Sequence, residues 1–360
     1  MISIQNSMTL DKYRHPMTTT CVGAKNLITD VPGIKVGNSH DEKVLTGSTV
    51  ILPDARAVCA AAIAGGGPGT RETDALGADK LVDAVDAVVL SGGSVYGLAA
   101  ADGVVAALGA KGEGFGLMDL PNVPKSPVVP SAILYDLANG GDKQWGEDTP
   151  YRALGRAAYI DALNAKDGHA IGQAGAGFGA RAGNERGGLG SASVVTLDGM
   201  TIGALVGVNC FGATRMPGCD AFWAFPYEIK NEFGGMRPPA DFSLDPDDWG
   251  GAKINPLAMQ STSTDRENTT IACVATDVAL TPAQAKRVAQ MALSGLSRAI
   301  RPVFAPFDGD VVFVMSTAKQ ALPEPHPLVL ARLGELAAGT LARAVARGVF
   351  EANKSIKKQS

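Results

Sequence analysis

Apolar, β-branched stretches alternate along the chain with breaks rich in glycine and proline, a pattern typical of strands that end in tight turns. The pattern therefore predicts a protein with several buried strands. They cover residues 28–37, 49–52, 57–64, 85–90, 194–195, 202–209, 269–278 and 311–314.

Longer segments with an apolar face predict helices at residues 95–108, 151–163, 281–299 and 328–349. The clearest start belongs to the third, where Thr281 can be the N-cap and Gln284 can complete a capping box. The first is small and apolar nearly all round, which predicts a helix sandwiched between two layers. Strands and helices mix throughout, so the fold class is α/β of the α+β kind.

Two segments lack this periodicity. Residues 1–25 are polar and irregular, and we interpret them as an N-terminal arm preceding one catalytic domain at 26–360. Residues 227–268 are rich in Pro, Gly, Asp and Ser, and they predict a flexible loop. A structureless segment of this length inside a compact domain usually has a functional or processed role.

Composition narrows the class of function. The chain has 360 residues, 46% hydrophobic and 19% charged, with a net charge of −4, so it can bury a large core and shows no basic footprint for nucleic acid. Neither a signal peptide nor an apolar run long enough to span a membrane is evident, which predicts a cytoplasmic protein. Its partner is expected to be a small molecule.

No cofactor or metal is expected. Five cysteines and four histidines are scattered without metal-ligand spacing, so buried free thiols are the simpler interpretation of the cysteines. The glycine-rich stretch 65–70 lacks the lysine of a phosphate-binding loop, and 175–179 lacks the spacing of a dinucleotide fingerprint.

The junction between the long polar loop and strand 269–278 carries the most informative chemistry. A hydroxyl residue at the first position of a core strand, as Thr269 is, can attack the carbonyl of Asn268 before it. Hydrolysis of the resulting ester would leave Thr269 with a free α-amine, whose reference pKa of about 8 suits a general base. On composition alone, Asn-Thr at this place is more often a turn residue followed by a strand former.

Other polar side chains could complete such a site. Asp308 and Asp310 precede a strand and point to one face of an extended backbone, although Asp-Gly-Asp is also an ordinary turn. Asn209 closes an apolar strand, where its amide could donate to an oxyanion or could have a structural role. Ser91–Gly97 misses the hydrolase elbow because Tyr96 replaces its last glycine, so we expect a backbone loop with Tyr96 facing the pocket.

Five motifs together resemble one known family. They are Gly-Gly-Gly-Pro-Gly-Thr-Arg-Glu-Thr-Asp at 65–74, Val-Leu-Ser-Gly-Gly-Ser-Val-Tyr-Gly-Leu at 89–98, Gly-Gly-Leu-Gly-Ser-Ala-Ser at 187–193, Asn-Thr-Thr-Ile at 268–271 and Pro-Phe-Asp-Gly-Asp at 306–310. The chain thereby resembles the self-processing family of L-aminopeptidase/D-esterase (DmpA), β-peptidyl aminopeptidases and nylon-oligomer hydrolase. The likeness runs in order from about residue 28 to the last helix.

The resemblance implies a four-layer αββα sandwich, of the DmpA and ornithine-acetyltransferase type. It implies autocleavage into an α chain, 1–268, and a β chain, 269–360, and a homo-oligomer that is a tetramer of such αβ pairs. Residue by residue, Thr269 matches the nucleophile and Asn268 the residue cleaved before it. Asn209 and Tyr96 match positions supporting the nucleophile or oxyanion, and Asp308 and Asp310 match carboxylates of the nylon-hydrolase branch.

One position departs from the pattern. Some members carry a catalytic lysine where this chain has Asn184, so Arg186 is a candidate substitute unless the α-amine of Thr269 suffices.

The expected activity is hydrolysis of short peptides or amino-acid amides by an N-terminal threonine. Hydrolysis of 6-aminohexanoate oligomers is the alternative within that chemistry. Acyl transfer of the ornithine-acetyltransferase type is the rival from another enzyme class. An inactive binding or assembly protein with this fold is the non-enzyme rival.

Overall fold

A computed structural model of the protein describes residues 20–118, 120–166, 168–258 and 268–354. Its helices are α1 Ala99–Gly109, α2 Tyr151–Asn164, α3 Pro282–Ser297 and α4 His326–Asn353. Its strands are β1 Thr20–Cys21, β2 Ile34–Asp41, β3 Thr46–Pro53, β4 Val58–Ile63, β5 Thr70–Arg71, β6 Val88–Ser91, β7 Ser131–Ile133, β8 Arg181–Ala182, β9 Glu185–Arg186, β10 Gly188–Thr196, β11 Thr201–Asn209, β12 Thr269–Val278 and β13 Val311–Gln320.

Two sheets form the middle of the molecule. One has the order β1-β10-β11-β12-β13-β4 and is antiparallel except for the parallel pair β12 and β13. The other has the order β2-β3-β6-β7-β5, with β6 and β7 parallel. The short strands β8 and β9 form a separate hairpin.

Three apolar cores separate four layers. One core lies between the first sheet and helices α3 and α4, the second lies between the two sheets, and the third lies between the second sheet and helices α1 and α2. Along β12 the side chains alternate, so Ile271 and Cys273 face the second sheet while Ala272 and Val274 face the helices. The predicted αββα sandwich is confirmed.

Helix α3 begins as its sequence predicts. The Thr281 hydroxyl accepts from the main-chain N–H of Gln284 at 3.3 Å, and the Gln284 side chain accepts from the main-chain N–H of Thr281 at 2.9 Å. This reciprocal pair satisfies two donors that the first turn of a helix leaves without partners. Helix α4 then packs against α3 and covers β10 and β11.

The prediction for residues 95–108 was wrong in two respects. A tight 3-10 turn occupies Ser94–Leu98, so α1 begins later, and α1 lies in the outer layer beside α2 with Asp102 exposed. The small residues allow α1 to pack closely against α2, and they do not place α1 between two layers. A Cβ added at Gly103 would collide with the main-chain oxygen of Arg152, and one at Gly155 would collide with that of Ala100.

The two irregular segments are described in part. Residues 1–19 of the expected arm lie outside the described residues, and Thr20–Cys21 pair with the edge of β10. Residues 259–267 of the expected loop also lie outside them, while 227–258 contain only short turns. Over the described ranges, no helix has the length and hydropathy needed to cross a membrane.

Candidate active site

The predicted nucleophile and the carboxylate pair meet where the parallel strands β12 and β13 begin. Thr269 is the first residue of β12, and Asp310 immediately precedes β13. A parallel bridge joins Asn268 to Asp308 just outside the two strands. Because parallel neighbours start at the same edge of a sheet, residues 40 positions apart in the chain, Thr270 and Asp310, are in direct contact.

The hydroxyl of Thr269 lies directly beside the carbonyl group of Asn268. The Thr269 hydroxyl donates to the Asn268 carbonyl oxygen at 2.5 Å, and Thr269 is only 3% exposed. The same oxygen accepts from the main-chain N–H of Gly309 at 3.0 Å. A donor at this distance polarises a carbonyl and can stabilise negative charge that develops on its oxygen.

Close backbone approach explains the glycines around this bond. A Cβ at Gly309 would lie 2.9 Å from the Thr269 hydroxyl oxygen and 2.7 Å from the main-chain oxygen of Gly67. The main-chain N–H of Gly67 donates to the Asp308 carbonyl at 2.7 Å, and a Cβ at Gly65 would collide with that same carbonyl. The glycine-rich stretch 65–70 is therefore part of the site's wall.

Both carboxylates are buried and held by main-chain donors. Asp310 accepts from Thr270 at 2.7 Å and from Phe304 at 3.2 Å, and Asp308 accepts from Ala305 at 2.9 Å. Burial and the neighbouring Asp308 charge raise the pKa of Asp310 to about 7. Burial also raises the pKa of Asp308, which the Ala305 hydrogen bond and the Lys253 charge partly oppose. The pair therefore changes protonation close to neutral pH.

Asn209 lies opposite Thr269 across the antiparallel pair of β11 and β12, so the two side chains share one face. Its side-chain oxygen accepts from the main-chain N–H of Arg181 at 2.9 Å and from the Asn139 amide at 3.1 Å. Its amide donates to the Tyr135 carbonyl at 2.8 Å. These partners fix which end of the amide is the donor, so its second N–H can serve the site.

A cavity of about 570 Å³ opens onto the Asn268–Thr269 bond. Its wall is formed mainly by apolar and main-chain groups of three segments that the topology brings together. They are the 65–70 stretch, the turn after β6 and the end of β7. The lining residues include Pro68, Val95, Leu98, Ile133 and Tyr135 from these segments, together with Phe307 from the segment before β13. The size suits a short chain of a few residues.

Three predicted residues lie away from this cavity. Tyr96 is half exposed and contacts Trp145 edge-on with ring centroids 5.7 Å apart, so its loop lines the cavity through Ser94 and Val95 instead. Asn184 bonds Gly251 through its main chain, and the Arg186 guanidinium bonds Gln173 at the surface.

Two residues that sequence reasoning missed belong to the site's surroundings. Tyr135 lines the cavity and its carbonyl fixes Asn209. Lys253, from the loop before the cleavage junction, is close enough to lower the pKa of Asp308 by its charge. No local motif marks either residue. Among the described residues, no group of His, Cys, Asp and Glu side chains is arranged to hold a metal ion.

The geometry agrees with the family to which the sequence motifs point. A family model described as Peptidase family S58 matches residues 26–359, nearly the whole chain. The chain belongs to peptidase family S58.

Curated relatives are similar to this chain over most of their length. An uncharacterised aminopeptidase of Mycobacterium bovis is 38% identical over 91% of this chain and 94% of its own. A 6-aminohexanoate-oligomer endohydrolase of Kocuria sp. is 31% identical over 84% of this chain and 78% of its own. This member of family S58 is accordingly a hydrolase of amide or peptide bonds.

Solved structures of lower identity share the fold. A beta-aminopeptidase of Burkholderia sp. superposes with a TM-score of 0.65 at 20% identity, over 91% of this chain and 87% of its own. An L-aminopeptidase D-Ala-esterase/amidase of Ochrobactrum anthropi gives 0.63 at 21%, over 92% and 88%. The latter is described as a variant of the Ntn hydrolase fold, which is the arrangement expected for an N-terminal nucleophile.

Proposed function

We propose that this S58 hydrolase cleaves itself between Asn268 and Thr269 and then uses Thr269 as its nucleophile. The observation that carries the proposal is the 2.5 Å contact between the Thr269 hydroxyl and the Asn268 carbonyl oxygen, which Gly309 also contacts. The hydroxyl oxygen attacks that carbonyl carbon, and its proton passes to the departing amide nitrogen. The amide C–N bond breaks in this step, which frees the Thr269 α-amine and leaves Asn268 joined to Thr269 by an ester. Water then hydrolyses the ester, releasing the Asn268 carboxylate and restoring the Thr269 hydroxyl.

The mature site performs the same chemistry on a substrate amide. Thr269 attacks the carbonyl carbon in the cavity while its α-amine takes the hydroxyl proton and delivers it to the leaving amine. The spare N–H of Asn209 stabilises the developing negative charge, and Asp308 and Asp310 orient the α-amine. Water hydrolyses the acyl-enzyme ester and restores the threonine.

The substrate class we propose is short peptides and amino-acid amides. The 38% identical Mycobacterium bovis relative is named an aminopeptidase, whereas the relative named an oligomer endohydrolase is 31% identical. A cavity of about 570 Å³, lined by apolar side chains and by polar groups such as Thr70 and Ser94, accommodates a small acyl group. We further propose a cytoplasmic homo-oligomer of αβ pairs.

Intact-protein mass spectrometry of wild type, Thr269→Ala and Thr276→Ala tests the processing step. Wild type should give fragments of residues 1–268 and 269–360, roughly 27 and 9 kDa by their share of the 36.9 kDa chain. Thr269→Ala should stay intact because no hydroxyl is left to attack, a loss of all measurable cleavage. Thr276→Ala is the matched control, since Thr276 is a buried threonine near the far end of β12 whose hydroxyl bonds the main chain of Val278. An intact wild-type chain after prolonged incubation would refute the proposal.

A substrate screen on the mature protein tests the second step. Release of 4-nitroaniline from L-alanine 4-nitroanilide without any amine acceptor supports an aminopeptidase. Activity confined to linear 6-aminohexanoate oligomers would replace that substrate class by the oligomer hydrolase. Turnover that depends on added ornithine would replace hydrolysis by acyl transfer.

A further inference from the structure

The carboxylate pair beside Thr269 lies next to a basic residue that is distant in sequence. Lys253 belongs to the loop that precedes the cleavage junction, and its Nζ atom is shielded from solvent although the residue is partly exposed. Taking a lysine ammonium out of water is unfavourable unless negative charge lies nearby. The burial of Nζ therefore requires negative charge close to it. The contacts of the loop show where that charge lies.

Main-chain hydrogen bonds fix the Lys253 segment to the site. The N–H of Lys253 donates to the Phe211 carbonyl at 2.9 Å, and the Gly251 carbonyl accepts from the N–H of Asn184 at 2.9 Å. Phe211 in turn lies against Phe307, with ring centroids 4.7 Å apart, and its main chain lies beside the Asp308 carboxylate. The loop thus lies across the ends of the strands that carry the site residues.

The guanidinium groups of the segments around Asn209 bond other partners, and that of Arg181 donates to the Asn184 carbonyl at 3.2 Å. Arg186 bonds Gln173 at the surface, and Arg215 forms an ion pair with Glu185 at 3.0 Å. Lys253 interacts electrostatically with the Asp308 carboxylate and with the thiol of Cys210, which in turn lies in the field of Asp308 and Asp310. Burial raises the pKa of the Cys210 thiol, so that group stays neutral and the balance of charge rests on the lysine and the carboxylates.

We propose that Lys253 supplies the positive charge of the active site and acts as a positioning residue for the Asp308 and Asp310 carboxylates beside Thr269. It acts through Asp308, which it keeps ionised while Asp310 takes up the proton that the pair shares. The inference rests on the proposed self-cleavage, because the consequence we measure is the rate at which Thr269 is released.

The sign of the effect follows from the charges. The Lys253 charge lowers the pKa of Asp308, so a neutral residue at 253 lets that carboxylate bind a proton at higher pH. If cleavage needs an ionised Asp308, the acid limb of the pH–rate profile moves upward. A change of one pH unit is a tenfold loss of rate on the acid side, with recovery at alkaline pH.

The experiment compares Lys253→Met, Lys253→Arg and Lys286→Met with wild type. Precursor is made by cell-free synthesis, transferred to buffers from pH 5.5 to 9, and followed by mass spectrometry of the 9 kDa fragment. Lys286 is the matched control, because it is a partly buried lysine whose Nζ bonds the Ala61 carbonyl away from the site. No substrate is needed, since cleavage is intramolecular.

Lys253→Met should shift the acid limb upward by about one pH unit, while Lys253→Arg and Lys286→Met keep the wild-type profile. Lys253→Met overlaying wild type, or losing rate equally at every pH, would overturn the assignment, because a structural defect lowers the rate without moving the profile. Failure of wild type to cleave at any pH would instead refute the proposed function. The two failures are therefore distinguishable.

Discussion

Two buried acidic sites in this protein have opposite shifts of the carboxylate pKa. Near α4, Glu232 contacts Arg343 at 2.5 Å and Arg347 at 3.5 Å. Burial raises the pKa of Glu232, but the hydrogen bond and charge of Arg343, with help from Asn26 and Arg347, outweigh burial and lower it below its ordinary value. At the candidate active site, Lys253 is close to Asp308, while burial and the Asp308 charge raise the pKa of Asp310 to about 7.

The comparison shows that buried charge is fully paired at the Glu232 site and only partly paired at the candidate active site. The Glu232 cluster joins the loop after β11 to α4 and to Asn26 near the start of the domain, so full pairing stabilises contacts between distant segments. The Asp308 and Asp310 pair is under-compensated, and its protonation changes in the range where proton transfer is useful. Strongly shifted carboxylates of this kind in a cleft are typical of functional sites.

Breaking the matched cluster should cost the most free energy. Glu232→Ala in the uncleaved Thr269→Ala background leaves buried guanidinium groups without their carboxylate, so we expect the free energy of unfolding to fall by about 3–5 kcal/mol. Urea denaturation measures it. The control is Asp198→Ala, which removes a surface pair with Arg332 and should cost less than about 1 kcal/mol. Equal effects of the two changes would contradict the comparison.

Removing charge from the candidate active site should lower the reaction rate more than it lowers the stability of the fold. In Asp310→Asn, one main-chain donor, from Thr270 or Phe304, loses its acceptor and the site loses its titrating group. We expect the self-cleavage rate to fall by about 100-fold, close to 2.7 kcal/mol of activation free energy. Timed mass spectrometry of the fragments measures the rate.

A buried aspartate at the far end of β12, the strand that begins with Thr269, provides the control for Asp310→Asn. Asp277 accepts from the main-chain N–H of Thr201 at 2.8 Å and from Gln320 at 2.9 Å. Asp277→Asn perturbs β12 in a comparable way without touching Thr269, so it should cleave at the wild-type rate. Cleavage of Asp310→Asn within twofold of wild type would show that Asp310 has no part in the reaction.

The smallest expected effect is on stability between pH 5.5 and pH 8. The folded-state pKa of Asp310, about 7, lies above the ordinary 3.8, so the folded protein binds more protons than the unfolded chain between these values. Stability from this group is therefore present at low pH and is lost as pH rises toward 7. We expect Thr269→Ala to lose about 1–2 kcal/mol of unfolding free energy between pH 5.5 and pH 8.

Denaturation at the two pH values, with and without Asp310→Asn, isolates that contribution. Glu232 does not interfere, because its pKa is lowered and its stabilising charge is lost only in acid, below the range compared. The difference between the two variants removes the effects of other buried aspartates, such as Asp86 and Asp136. An identical pH dependence in both variants would rule out titration of Asp310 in this range.

Much of the site could be predicted from the chain. Thr269 follows a long polar loop and opens an uninterrupted apolar strand, and Asp308 and Asp310 stand just before another. These positions follow from local patterns, because the start of a buried strand is marked by the change from polar to apolar residues. Tyr96 shows the limit: its motif brings the loop to the cavity, but the direction of its side chain depends on the turn and on packing against Trp145.

By itself, the sequence determined strands such as β4, β11 and β12, the capped start of α3, and the motifs that place Thr269, Asn209 and the two aspartates in one known family. Tertiary structure alone decided that Gly309 contacts the Asn268 carbonyl and that Lys253 lies near Asp308. The physical reason is that hydrophobic periodicity records which face of an element is buried. Contacts between segments far apart in the chain, and the desolvation that shifts a carboxylate pKa, depend on how the layers pack.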